Sequence, residues 1–143
     1  MDYNIIYEWY RTLSCLKTIR KINSFVRHNK EKASVEELKI INENKYVSHS
    51  IAILTAIGIL TTFRKLRRLK SFMFRPFLPD LFGLTTSCSF LYLHALYLSR
   101  NTISKLIQLN LKENANEGIG TYVGEMYKKD EPKDYLNLVK KAL

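Results

Sequence analysis

Apolar positions along this chain change their spacing from one segment to the next, and each change marks an element. From Ile5 to Val26 they fall at Ile5, Trp9, Leu13, Leu16, Ile19, Ile22 and Val26, while Arg11, Lys17, Arg20, Lys21 and Arg27 occupy much of the remaining surface. The alternation of three- and four-residue steps predicts one basic amphipathic helix. Tyr3, Tyr7, Trp9 and Tyr10 crowd its start. Such a helix can lie on a membrane surface or pack its stripe against a neighbouring protein, and packing against protein is the commoner use of the pattern. Residues 1–33 form this N-terminal region, closed by the polar break from His28 to Ala33, where His28 is expected in solvent.

Ser34 followed by Glu37 has the spacing of a capping box, in which the serine caps the third amide of a helix and the glutamate reaches back. A helix is expected to start at Val35 and to run without an evident stop as far as Phe63. Within that run the spacing disappears and apolarity becomes continuous: YVSHSIAILTAIGILTTF, residues 46–63, lies between Lys45 and Arg64. Eighteen residues reach roughly 27 Å, close to the ~30 Å of a hydrocarbon core once flanking cations snorkel. A second window, LFGLTTSCSFLYLHALYLS, occupies residues 81–99 between Asp80 and Arg100. Pro76, Pro79 and Asp80 read as its start, since proline fits a first turn and an acid suits the positive end of a helix. Tyr92 and Tyr97 stand toward its far end, where interfacial tyrosine is common.

The helical pattern continues beyond Arg100 through Ile103, Leu106, Ile107 and Leu111, so the second helix is expected to leave the membrane by about three turns. ENANEGIG, residues 113–120, reads as a loop. A short segment around Tyr122–Tyr127 follows, and Asp130 with Pro132 opens a last amphipathic helix carrying Tyr135, Leu138, Val139 and Leu143. The predicted fold is therefore all-α: an integral membrane two-helix transmembrane hairpin over residues 34–113, with spans 46–63 and 81–99 and connector 64–80. The N-terminal amphipathic helix precedes it, and residues 114–143 supply the C-terminal loop and short helix.

Charge adds a direction to this picture. The chain of 143 residues carries a formal net charge of +10, which asks for an anionic partner. Residues 1–45 hold nine Lys/Arg against six Asp/Glu and residues 100–143 hold eight against six, so neither end is strongly basic. The excess sits between the windows as Arg64, Lys65, Arg67, Arg68, Lys70 and Arg75, interleaved with Phe72, Met73, Phe74 and Phe77. Cations between two apolar windows favour lipid headgroups over nucleic acid, at about 1 kcal/mol per residue near an anionic surface. These six residues are the candidate lipid-binding set, with cardiolipin as the candidate lipid. The same charges act as a topology signal that keeps the connector on the cytoplasmic or matrix side.

Candidate chemistry inside the windows is sparse. His49 stands 14 residues before the end of the first and His94 13 residues after the start of the second, which places them at similar depth in an antiparallel pair. Two histidines so placed can supply both axial ligands of haem b, or border a quinone. A neutral histidine hydrogen-bonded to a neighbouring helix is the commoner arrangement. Ser48, Ala52 and Ala56 on one helix, with Gly83, Thr85, Thr86, Ser87 and Ser89 on the other, form small-residue faces that let backbones approach. Cys15 and Cys88 have neither zinc-site nor disulfide spacing. Gly120 and Gly124 have GxxxG spacing but lie outside an apolar span. The N-terminal residues lack the cation-then-apolar order of a signal peptide, and Asp2 and Glu8 are unusual in a transit peptide. No phosphate-binding glycine loop, HExxH or GxSxG pattern occurs, and no metal or other cofactor is expected.

The expectation is a non-catalytic accessory subunit of a multisubunit membrane complex, within a hetero-oligomer that binds other subunits and anionic phospholipid and not nucleic acid. Respiratory and ATP synthase complexes of the mitochondrial inner membrane contain many parts of this build, with the connector on the matrix side. The alternatives are a haem b or quinone redox anchor built on His49 and His94, and a basic helical protein that binds nucleic acid.

Overall fold

A computed structural model describes residues 3–43, 45–68, 77–113 and 118–142 of the chain. Among these residues every regular element is helical and no strand occurs: α1 (Tyr3–Ser14), α2 (Leu16–His28), a short 3₁₀ turn (Lys30–Lys32), α3 (Val35–Asn42), α4 (Lys45–Leu66), α5 (Phe77–Glu113), α6 (Ile119–Asp130) and α7 (Pro132–Ala142). The chain divides into two compact units, one formed by residues 1–43 and 96–143, the other by residues 44–95. Lys70 and Arg75, and residues 114–117 of the loop predicted at 113–120, lie outside the described residues, while Ile119 and Gly120 of that predicted loop already belong to α6.

The first unit is built on an apolar cluster. Helix α5 contributes Leu96, Ile103 and Ile107, one turn or two apart on a single face, and α2 contributes Ile19 and Ile22. Helix α6 adds Ile119, Val123 and Tyr127, and α7 adds Leu138. Each of these aliphatic side chains gains about 2–3 kcal/mol by leaving water. Helix α2 follows the predicted amphipathic pattern, with Thr18, Ile19 and Ile22 buried.

Two breaks within the expected helices differ from the sequence expectation, each for a local reason. The long N-terminal helix is two helices, broken at Cys15, whose backbone lies at φ −90° and ψ 11°. The capping box forms at Ser34 and α3 begins at Val35 as expected, yet this helix stops at Asn42 because Glu43 turns to an extended ψ of 132°. Helix α4 then begins separately at Lys45. The second window lies within α5, which starts at Phe77 and carries its 37 residues without interruption to Glu113.

Glu37 ties two helix starts together. Its Oε2 accepts from the Ser34 amide at 2.8 Å and its Oε1 from the Gly120 amide at 2.6 Å. The first turn of α6 would otherwise present unsatisfied amides in a buried place. Gly118, at φ 142°, makes the turn into α6. Gly120 is required by proximity: a β-carbon there would stand 3.0 Å from the Leu106 carbonyl oxygen on α5.

Candidate functional site

The second unit is assembled through small residues. Ala52 and Ala56 of α4 and Gly83 and Ser87 of α5 are buried, and the Ser87 hydroxyl donates to the Ala56 carbonyl at 3.1 Å. A β-carbon at Gly83 would meet that of Phe63 at 2.8 Å, so only glycine permits the approach. Large side chains point the other way. Ile51, Ile53, Leu54, Ile57, Leu81, Phe82 and Leu84 are exposed, Leu54 by 68%. Close backbone contact through small residues, with bulky aliphatics outside, is how helices pair where the surroundings are as apolar as the side chains.

His94 belongs to this small-residue seam. Its Nε2 lies 2.9 Å from the Ser48 hydroxyl, and its ring stacks on Phe90 with centroids 6.1 Å apart. His94 therefore meets α4 at Ser48, the neighbour of His49. His49 is half-buried. Among the described residues no group of three or more His, Cys, Asp or Glu side chains is placed to hold a metal ion.

At the C-terminal end of α4, Arg64, Lys65, Arg67 and Arg68 are exposed and surround a shallow cavity of about 330 Å³ with Thr61. Arg67 reaches Asp80 at 2.9 Å. Both partners of that pair are largely exposed, so its net stabilisation is small. Guanidinium groups such as these three can take phosphate oxygens two at a time.

The first unit carries a polar constellation that sequence reasoning missed. Asp134, in the first turn of α7, is buried and accepts from Arg11 of α1, from Arg100 of α5 with both carboxylate oxygens at 3.2 Å, and from the Tyr127 hydroxyl at 2.5 Å. Arg100 also pairs with Glu8 of α1, and Glu8 holds Arg11 at 3.3 Å. The Cys15 sulfur stands 3.6 Å from Asp134. Two cations and two carboxylates balance, which offsets the desolvation that burial imposes. The Arg100 Nε alone is buried without a partner among the described residues. Burial pushes the Tyr127 phenol above its ordinary value, with the Cys15 thiol adding to the shift.

This constellation reverses the burial expected for α1. Glu8, Arg11, Thr12 and Cys15, spaced i, i+3, i+4 and i+7, turn toward the rest of the unit, while Ile5, Ile6, Tyr7, Tyr10 and Leu13 are exposed. The sequence pattern put Arg11 on the polar face of one amphipathic helix. That face was not legible as the buried side because its countercharges, Arg100 and Asp134, arrive from the other end of the chain.

No family model, curated protein or solved structure matches the chain. Among the described residues one helix, α5, is long and apolar enough to cross a membrane, and only 17% of its most apolar window is buried. That low fraction sets it apart from the core helix of a water-soluble bundle, whose apolar surface is covered by neighbours.

Proposed function

We propose that this chain is a non-catalytic subunit of a multisubunit membrane complex, held in the bilayer by a hairpin of α4 and the first half of α5. The observation that carries the reading is the burial pattern of residues 44–95, where alanine, glycine and serine face inward and isoleucine, leucine and phenylalanine face out. In water such a surface would associate or aggregate. In a bilayer its outer side meets acyl chains or the helices of neighbouring subunits.

The cations at the end of α4 then stand at a headgroup surface. A lipid with two phosphates suits four converging Lys and Arg side chains, which makes cardiolipin, and with it the mitochondrial inner membrane, the first combination to test. A role in assembly rather than chemistry is supported by the first unit, where the Glu8 carboxylate and the Arg100 guanidinium that border a cavity of about 410 Å³ are engaged with one another and with Arg11 and Asp134.

Two measurements test this. Alkaline carbonate should leave the chain in the membrane pellet, and purification in mild detergent should recover it with other membrane proteins at fixed stoichiometry. Release into the carbonate supernatant would defeat the membrane reading, and recovery as a lone monomer from its native membrane would defeat the subunit reading. Reversing Arg64, Arg67 and Arg68 to glutamate should abolish preferential retention of cardiolipin while leaving carbonate resistance intact.

A further inference from the structure

Helix α1 is turned inside out relative to an ordinary surface helix. Its charged residues, Glu8 and Arg11, are directed into the unit, where they meet Arg100 and Asp134. Its outer face holds Ile6, Tyr10 and Leu13 in the centre, flanked by Ile5 and Tyr7, with Tyr10 exposed by 69% and Ile6 by 59%. No charged side chain of α1 lies on that face.

The place where α1 is fastened identifies what covers the face. Glu8 pairs with Arg100, and the Trp9 ring packs against Tyr97 with centroids 5.5 Å apart. Tyr97 and Arg100 bracket the end of the apolar window of α5, at the level where that helix passes from hydrocarbon to water under the reading above. An uncharged aliphatic and tyrosine-rich face fixed at that level matches the boundary between acyl chains and headgroups, where amphipathic helices settle with their apolar side about 5–10 Å deep. Exposed Lys17 follows on α2, four residues after Leu13, while Lys21 is paired with Asp130 at 3.1 Å. We infer that α1 is an interfacial helix whose Ile6–Tyr10–Leu13 face is buried in the lipid boundary, with the Glu8–Arg11–Arg100–Asp134 network holding it there. This inference rests on the membrane reading of α5.

The test uses the full chain reconstituted in phosphatidylcholine vesicles. Trp9 is the only tryptophan, so a Trp9→Phe background carrying Tyr10→Trp reports on the outer face alone, and Leu13→Trp repeats the measurement at a second exposed position. Expected is blue-shifted emission in both, quenched more by lipid brominated near the headgroup end of the chain than by lipid brominated at its terminus. Emission typical of water and insensitive to bromolipid, in protein that still floats with the vesicles, would overturn the inference and leave the membrane reading standing. Blue-shifted emission that neither lipid quenches would overturn it too, since a protein surface would then be the cover. Failure of the chain to float with vesicles would remove the membrane reading itself, and the inference with it.

Discussion

Asp134 shows how much one side chain can hold. It receives two guanidinium groups and a phenol from three different helices, and removing it would leave Arg11 and Arg100 sharing the single Glu8 carboxylate in a buried place. Asp134→Ala should therefore destabilise the chain by about 3–5 kcal/mol, the usual cost of breaking a buried pair from one side. Thermal unfolding in detergent measures it; a loss under about 1 kcal/mol would mean that water reaches the network and screens it. Tyr127 adds a pH dependence. Its phenol is held above the ordinary value of about 10, so the folded state keeps the proton that the unfolded state releases. Its contribution is intact below about pH 10 and is lost as pH rises beyond that. Tyr127→Phe should thus show a shallower fall of Tm than the parent between about pH 8 and about pH 11, an equal fall in both chains being the contrary result. At this scale the sequence showed the residue types and hid their association. Arg100 reads as the flank of an apolar window, Asp134 drew no reading of its own beside Asp130 and Pro132, and nothing local says that they are partners.

Among the elements, α3 and α6 are the pair most dependent on a single group. Glu37 completes the capping box at Ser34, and the same carboxylate takes the amide of Gly120. Each lost cap is worth about 1 kcal/mol, so Glu37→Ala should cost about 2 kcal/mol, twice what a capping box alone would predict. A cost confined to the single-cap value in denaturant titration would show that α6 finds another partner for its amide. Gly118→Ala should cost about 1–3 kcal/mol, because φ 142° is strained for any side chain and the new methyl would press on the Glu37 carboxylate. In α4 and α5 the sensitive position is Gly83. Gly83→Leu has no room against Phe63 and should separate the two helices, read as lost protection of the α4 amides from exchange in detergent micelles, whereas Leu84→Phe on the outer side should leave protection unchanged. The capping box, the start of α3, the unbroken run of α5 past Arg100 and the Pro132 start of α7 were all legible, since each depends on residues within a turn of one another. The break at Cys15 and the stop at Asn42 were not, because neither carries glycine or proline to announce it.

For the whole molecule, the membrane assignment makes a prediction that separates its two units. Charge introduced on the outer faces of α4 and α5, as in Leu54→Lys with Leu84→Lys, should reduce membrane retention by about 2–4 kcal/mol per residue near the bilayer centre, while the first unit keeps its fold. Carbonate extraction of the double variant is the measurement, and unchanged retention would argue that these faces meet no lipid. The assignment was drawn from an order of residues: two apolar windows of spanning length, bounded by charge and joined by six cations with no acid among them. Local order of that kind fixes which segments become helices, where most of them start, and which stretches are continuously apolar, because a one-dimensional pattern suffices to set hydrogen bonding and apolarity along a helix. It does not fix which face of a helix turns inward. For α4 and α5 the small residues gave that away. For α1 the apolar stripe pointed to the wrong side, since the deciding groups lie some 90 and 120 residues further along the chain and only the tertiary structure brings them to it; burial there follows the pairing of charges, because a buried guanidinium or carboxylate left without its partner costs more than an apolar side chain left exposed.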